Sequence, residues 1–235
     1  MAPREISIGF LLIPLQALDM IGPMDILVNI SYDMIATYVS KEQAERASAP
    51  KITFHHIGPS MDPVLTTGNC HIQPTTTIKD CPKLDYLLVG GPAPSYAQNL
   101  PTEMKDFMIQ KSKEVKILFT TCTGGLVLSA TGLLDNVAAT TNHTLISPFG
   151  EQISPTTKWD NQKHWVVSPS QTQKGLVFWT AAGAGAGMDM MAEWIRQEFS
   201  QDLLNSSTMA LEWQPRDVDG KPQRYMNGRM EIVEV

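Results

Sequence analysis

The 235-residue sequence predicts an α/β fold in which a mostly parallel sheet is covered by helices on both faces, and three observations carry that expectation. Six short apolar, β-favouring runs recur along the chain, helical patterns separate several of them, and one run gives way abruptly to a small-residue helix pattern at Cys122. Such alternation belongs to strand–helix–strand crossovers, which place ligands at the carboxyl ends of the strands. The length lies within the range of one α/β domain with a full core.

The first run, residues 6–13, follows an acidic residue and ends at Pro14 without a cleavage-like site, so it reads as a strand and not as a secretory signal. Leu18-Asp19-Met20-Ile21-Gly22-Pro23 then opens a helix over residues 20–30, with Pro23 suited to a first turn. Asp19, just ahead of that helix, is a carboxylate near a strand end; taken alone it also reads as a helix cap. Residues 52–57 form the next strand, on which His55 and His56 point to opposite faces and read as structural or surface groups. The threonine- and glycine-rich stretch 66–77 reads as a hairpin or an excursion from the main sheet. Residues 86–89 are a strand ending in Gly90-Gly91-Pro92, and residues 102–112 are a helix.

The strand at residues 117–120 leads into Cys122. Gly124 and Gly125 relieve the crowding of a sharp turn, and Leu126, Val127, Ala130 and Leu133 recur at helical spacing. Strands at 165–168 and 176–180 and a helix over 188–199 complete the pattern. A single domain over residues 1–215 is expected, with 216–235 a tail that is loosely held or packs on a partner subunit.

Composition narrows the function. Hydrophobic residues make up 43% and charged residues 18%, as in ordinary globular proteins, and no segment approaches the twenty or so apolar residues of a membrane span. A net charge of -6 disfavours nonspecific attraction to nucleic acid or anionic lipid. Three cysteines at unrelated spacings argue against a disulfide framework and suit a reducing, cytoplasmic setting. No spacing of Cys, His, Asp or Glu matches a metal site, so no metal is expected.

A thiol at a strand-to-helix turn faces open space above the sheet, beside a helix N-terminus that favours the thiolate. Cysteine is more often a small inert hydrophobe, the reading given to Cys70 and Cys81, which lack that context. Gly90 and Gly91 let backbone N–H groups act as oxyanion donors, or simply mark a tight turn. Gly183 and Gly185, in Ala181-Ala-Gly-Ala-Gly-Ala-Gly-Met-Asp189, lack dinucleotide-site spacing and read as close packing beneath a small pocket, with Asp189 capping the helix it opens. His143, after a candidate strand and Asn142, is a possible base, although a favoured thiolate requires none.

These segments together resemble the DJ-1/PfpI superfamily, and most closely its isocyanide hydratase-like branch. The matching pieces are Ile8-Gly-Phe-Leu-Leu-Ile-Pro, Leu18-Asp-Met-Ile-Gly-Pro, Asp80-Cys-Pro-Lys-Leu-Asp-Tyr-Leu-Leu-Val-Gly-Gly, Thr121-Cys-Thr-Gly-Gly-Leu-Val-Leu-Ser-Ala-Thr-Gly-Leu-Leu, Ala139-Thr-Thr, Ala186-Gly-Met-Asp and Leu211-Glu-Trp-Gln-Pro. The resemblance implies a flavodoxin-like three-layer sandwich, a homodimer, Cys122 as reactive thiol and Asp19 as its acidic partner. An aspartate at residue 19, where the DJ-1 branch proper usually carries glutamate, points to the hydratase branch. Asn142, where many hydratase-like members have histidine, and Gly185, where they have a hydroxyl residue, imply an altered pocket. The expected reaction is cofactor-free hydration of an isocyanide to an N-formamide, with the Gly91 and Thr123 N–H groups steadying charge and Gly90, Asn142, His143, Gly183 and Gly185 lining the pocket. Glyoxalase-type, hydro-lyase or hydrolase chemistry on another small electrophile, and a nonenzymatic oxidation sensor, are the alternatives.

Overall fold

The computed structural model describes residues 3–226 and 229–232. Seven strands form the main sheet: β1 (Glu5–Leu11), β2 (Lys51–Gly58), β3 (Thr76–Thr77), β4 (Tyr86–Val89), β5 (Ile117–Thr120), β6 (Trp165–Pro169) and β7 (Val177–Ala181). Their spatial order is β6-β7-β5-β4-β1-β2-β3, with every pair parallel except β6 and β7. Central strands carry near-continuous apolar runs because both faces of a parallel sheet are covered; all four residues of β4 are buried.

From β1 the chain winds outward to β2 and β3, then returns to β4 on the other side and continues to β5. Because crossovers between parallel strands are right-handed as a rule, two directions of winding put helices on opposite faces and open a crevice between the ends of β1 and β4. On one face α1 (Leu18–Ile30) packs against α4 (Ala184–Glu198) and α5 (Gln201–Ala210). The other crossovers carry α2 (Thr102–Lys111) and the elbow helix α3 (Gly124–Ser129). Trp194 of α4 meets Tyr86 and Phe119 edge-on, at centroid distances of 4.8 and 5.2 Å, and so joins a helical layer to the middle of the sheet.

The three-layer α/β architecture matches the expectation, with differences at element ends. The first helix starts at Leu18, two residues early, and α4 starts at Ala184, four residues early, because its glycines serve close packing and do not break the helix. A Cβ on Gly187 would come within 2.5 Å of Thr121 Cγ2, so α4 can lie against the end of β5 only with hydrogen there. Helix α5 lies where the pattern weakens after Phe199. Ser200 caps it by accepting from Leu203 N at 3.2 Å, and Leu203 and Leu204 are buried. Stretch 66–77 divides: Val64–Leu65 and His71–Ile72 form a hairpin, while Thr76–Thr77 returns to the main sheet as its edge strand.

Residues 216–221 are not a loose tail. Arg216 donates from its backbone N and Nε to Asp189 at 2.9 and 2.8 Å, and Val218 O accepts from His164 N at 2.8 Å. Asp189 therefore does not cap a helix, as the sequence suggested; it sits inside α4, buried, as the anchor of this strap. Gln223–Met226 and Arg229–Ile232 then pair antiparallel. Among the described residues no helix is long and apolar enough to cross a membrane.

Candidate functional site

Three consecutive carboxyl ends, those of β1, β4 and β5, supply the core of the site. Asp19 is the second residue of α1, and Ala17 occupies the cap position, so Asp19 is not the helix cap. Four residues on, Pro23 lies inside the helix and has no N–H to give to the Asp19 carbonyl. The Thr121 hydroxyl donates to that carbonyl at 3.0 Å, tying α1 to the residue before Cys122.

The Asp19 side chain is fully buried. Its Oδ2 accepts from Gly91 N at 2.9 Å, and its Oδ1 has no hydrogen-bond partner among the described residues. Burial pushes its pKa up to about 7 despite the Gly91 bond. The glycine pair makes this placement possible. A Cβ on Gly90 would lie 3.2 Å from Asp19 Cβ, and one on Gly91 would lie 2.9 Å from Asp19 Oδ2 and 2.5 Å from Thr123 N. Gly91 is thus not the free oxyanion donor read from the sequence, because its single N–H is engaged by Asp19.

Cys122 has φ +51°, the left-handed backbone of a nucleophile elbow. Gly124 clears Val89 O, and a Cβ on Gly125 would stand 2.7 Å from Thr140 O, so the turn closes only with both glycines. The Thr141 hydroxyl donates to Cys122 O at 2.8 Å and fixes the elbow from the far side. Among the described residues, the N–H groups of Cys122 and Thr123 meet no backbone carbonyl, which leaves them available to a ligand or to the sulfur.

The thiol is less open and less acidic than the elbow pattern implied. Cys122 is 8% exposed, whereas Cys70 is exposed and Cys81 half-buried, the reverse of the expected order. Burial first, and the Asp19 carboxylate second, hold the Cys122 thiol above its ordinary range, while the Asn142 amide and the Thr123 backbone N–H pull it down. Asn142 Nδ2 lies 3.7 Å from Sγ.

The other pocket candidates separate. The His143 ring meets the backbone elsewhere, its Nε2 3.0 Å from Lys163 O. Gly183 is the cap of α4, with open space where a Cβ would stand, whereas Gly185 faces Arg216, whose Nη2 would lie 2.9 Å from a Cβ there. Sequence reasoning missed Thr121, Thr141, Thr144 and Arg216. Pro23, four residues after Asp19, was the one signal that a side-chain donor would be required at the Asp19 carbonyl. Among the described residues no three His, Cys, Asp or Glu side chains gather into a metal-binding group.

A buried carboxyl of raised pKa beside a buried thiol, with the Thr123 N–H turned to the sulfur and the Cys122 N–H free of any backbone carbonyl among the described residues, can add a nucleophile and move a proton. Comparisons with known proteins place the chain in one family. Residues 14–197 match the model of the DJ-1/PfpI family. The chain is 29% identical over 214 residues to an isonitrile hydratase of Pseudomonas putida, covering 89% of this chain and 79% of that protein. Among solved structures it is similar to a THiJ/PfpI family protein from Pseudomonas syringae, with TM-score 0.69 and 20% identity over 92% of this chain and 78% of the other. Drosophila melanogaster DJ-1beta gives 0.63 and 14%, over 90% and 98% of the two chains. An AraC family transcriptional regulator from Pseudomonas putida gives 0.59 and 15%, over 89% and 100%.

Proposed function

The chain belongs to the DJ-1/PfpI family, and on that premise we propose that it hydrates a small electrophile at Cys122, an isocyanide foremost, to give an N-formamide. The observation that carries this reading is the Asp19 carboxyl: fully buried, held by Gly91 N, with Oδ1 unpartnered and a proton retained to about pH 7. A proton donor is what the reaction needs, because an isocyanide accepts nucleophile and proton on the same terminal carbon.

In the proposed sequence the Cys122 sulfur bonds to that carbon while Asp19 delivers a proton to it, giving an S-linked thioimidate. The Asp19 carboxylate then takes a proton from water as the water oxygen adds to the carbon, and passes that proton to the imine nitrogen. Collapse of the adduct forms the formamide carbonyl, breaks the carbon–sulfur bond and returns the thiolate, while the hydroxyl proton goes back to the Asp19 carboxylate. The Cys122 N–H, which meets no backbone carbonyl, steadies the charge that develops at the turn, and the Thr123 N–H steadies the leaving sulfur.

The test is formamide production from a simple isocyanide by the wild type, Cys122→Ala and Asp19→Asn, with methylglyoxal supplied in parallel. Formamide formed by the wild type and reduced at least about 100-fold in both variants is the expected result. Lactate without formamide would replace the reading with glyoxalase chemistry, and formamide undiminished in Cys122→Ala would remove the thiol from the mechanism.

A further inference from the structure

We infer that Asn142 is the positioning residue that holds a proton-donating face against the Cys122 sulfur, and that Thr144 locks it in that sense. A side-chain amide offers oxygen on one side and NH2 on the other, and its neighbours decide which faces where. The Thr144 backbone N–H can only donate, and it lies 3.2 Å from Asn142 Oδ1. Thr144 Oγ1 donates to the same oxygen at 2.8 Å. Two donors on one side fix the oxygen there, so the NH2 group is the side that faces Sγ at 3.7 Å. Asn142 also caps the short helical turn His143–Leu145, which fixes its backbone while the amide is held.

This matters because Cys122 and Asp19 are buried together, and two anions so placed disfavour each other. The donors around each group decide which keeps the proton. Asp19 has the Gly91 N–H on one oxygen and no partner on the other. The sulfur has the Asn142 NH2 and the Thr123 N–H. From α1 the facing ionisable group is Asp19; from the elbow come Thr123 and its N–H; from the segment after the Ala138–Ala139 strand come Asn142 and His143, and the His143 ring is turned to Lys163 O. Asn142 thereby favours the thiolate, the form of the sulfur that the proposed hydration uses. For that consequence, though not for the geometry, the inference rests on the proposed function.

Alkylation of Cys122 by iodoacetamide against pH, in a Cys70→Ser/Cys81→Ser background of the full chain, tests it without any enzymatic turnover. The midpoint of the rate profile is expected to rise by about one pH unit in Asn142→Ala, and further in Asn142→Asp, which turns an oxygen toward the sulfur. Thr144→Val removes one of the two donors that orient the amide and is expected to give a rise of about half a unit. Thr144 is exposed, so that variant decides the matter if the Asn142 variants do not fold. Midpoints within about 0.2 unit of the parent in all folded variants would overturn the inference. A shifted midpoint in a protein that makes no formamide would leave the inference standing and remove the hydratase reading. Formamide production with unmoved midpoints would do the reverse.

Discussion

Asp19 keeps its proton in the folded protein to about pH 7, whereas the ordinary carboxyl of an unfolded chain releases it near 3.8. The sign follows from that difference. A carboxyl whose folded pKa is raised contributes stability that is fully present below the unfolded value and is lost as pH rises through the folded one. At about 1.4 kcal/mol per unit, the loss between pH 4 and pH 8 is on the order of 4 kcal/mol. Asp19→Asn, which carries no charge at any pH, is expected to remove this slope and to be more stable than the wild type at pH 8; chemical denaturation at pH 5 and pH 8 measures both. A wild type equally stable at the two values would contradict the buried, neutral state of Asp19. Cys122 stood out in the sequence through a local strand-to-helix pattern, whereas Asp19, which that pattern alone read as a helix cap, stood out through the family resemblance. Their partners did not, since the Gly91 N–H, the Asn142 amide and the Thr144 donors come together only through tertiary structure.

At the scale of the element, α1 carries a break in its hydrogen bonding at Pro23 and a repair from outside, the Thr121 hydroxyl on the Asp19 carbonyl. Thr121→Val keeps the shape and the methyl contact with Gly187 but deletes the donor, leaving a buried carbonyl unpaired. The expected cost is about 1–3 kcal/mol in denaturation, with activity reduced more than fold, because the same bond sets where Asp19 stands against the elbow. An unchanged midpoint of unfolding would show that water or a shifted turn satisfies the carbonyl instead. Strands were the most legible elements: β4 and β5 were anticipated to the residue because their runs are short, apolar and bounded by turn formers. Helix starts were harder to place. Glycine and proline weaken a helical pattern on paper, yet in α1 and α4 both are tolerated where neighbouring elements supply the missing donor or use the missing side chain.

Across the whole molecule, a mostly parallel sheet covered on both faces was readable from strand–helix alternation, whereas the strand order came from the structure and puts the candidate site at the crevice between β1 and β4. The closing strap was not readable, because residues 216–221 are polar and turn-prone and are tied to the domain through Asp189 and His164, which are distant in sequence. Arg216→Met would leave Asp189, 1% exposed, without its cation. Loss of about 2–3 kcal/mol is expected, tempered by the partial exposure of Arg216, together with faster proteolysis within residues 213–222. Unaltered proteolysis would mean that other contacts hold the strap. The spread of the site across β1, β4 and β5 has a bearing on the life of the polypeptide. Ribosomal synthesis delivers residue 19 long before residue 122, and neither has an unusual affinity for protons until the three central strands have zipped together. A nascent or half-melted chain is therefore chemically quiet, and the ionisation of one aspartate serves as a gauge of whether the middle of the sheet is intact.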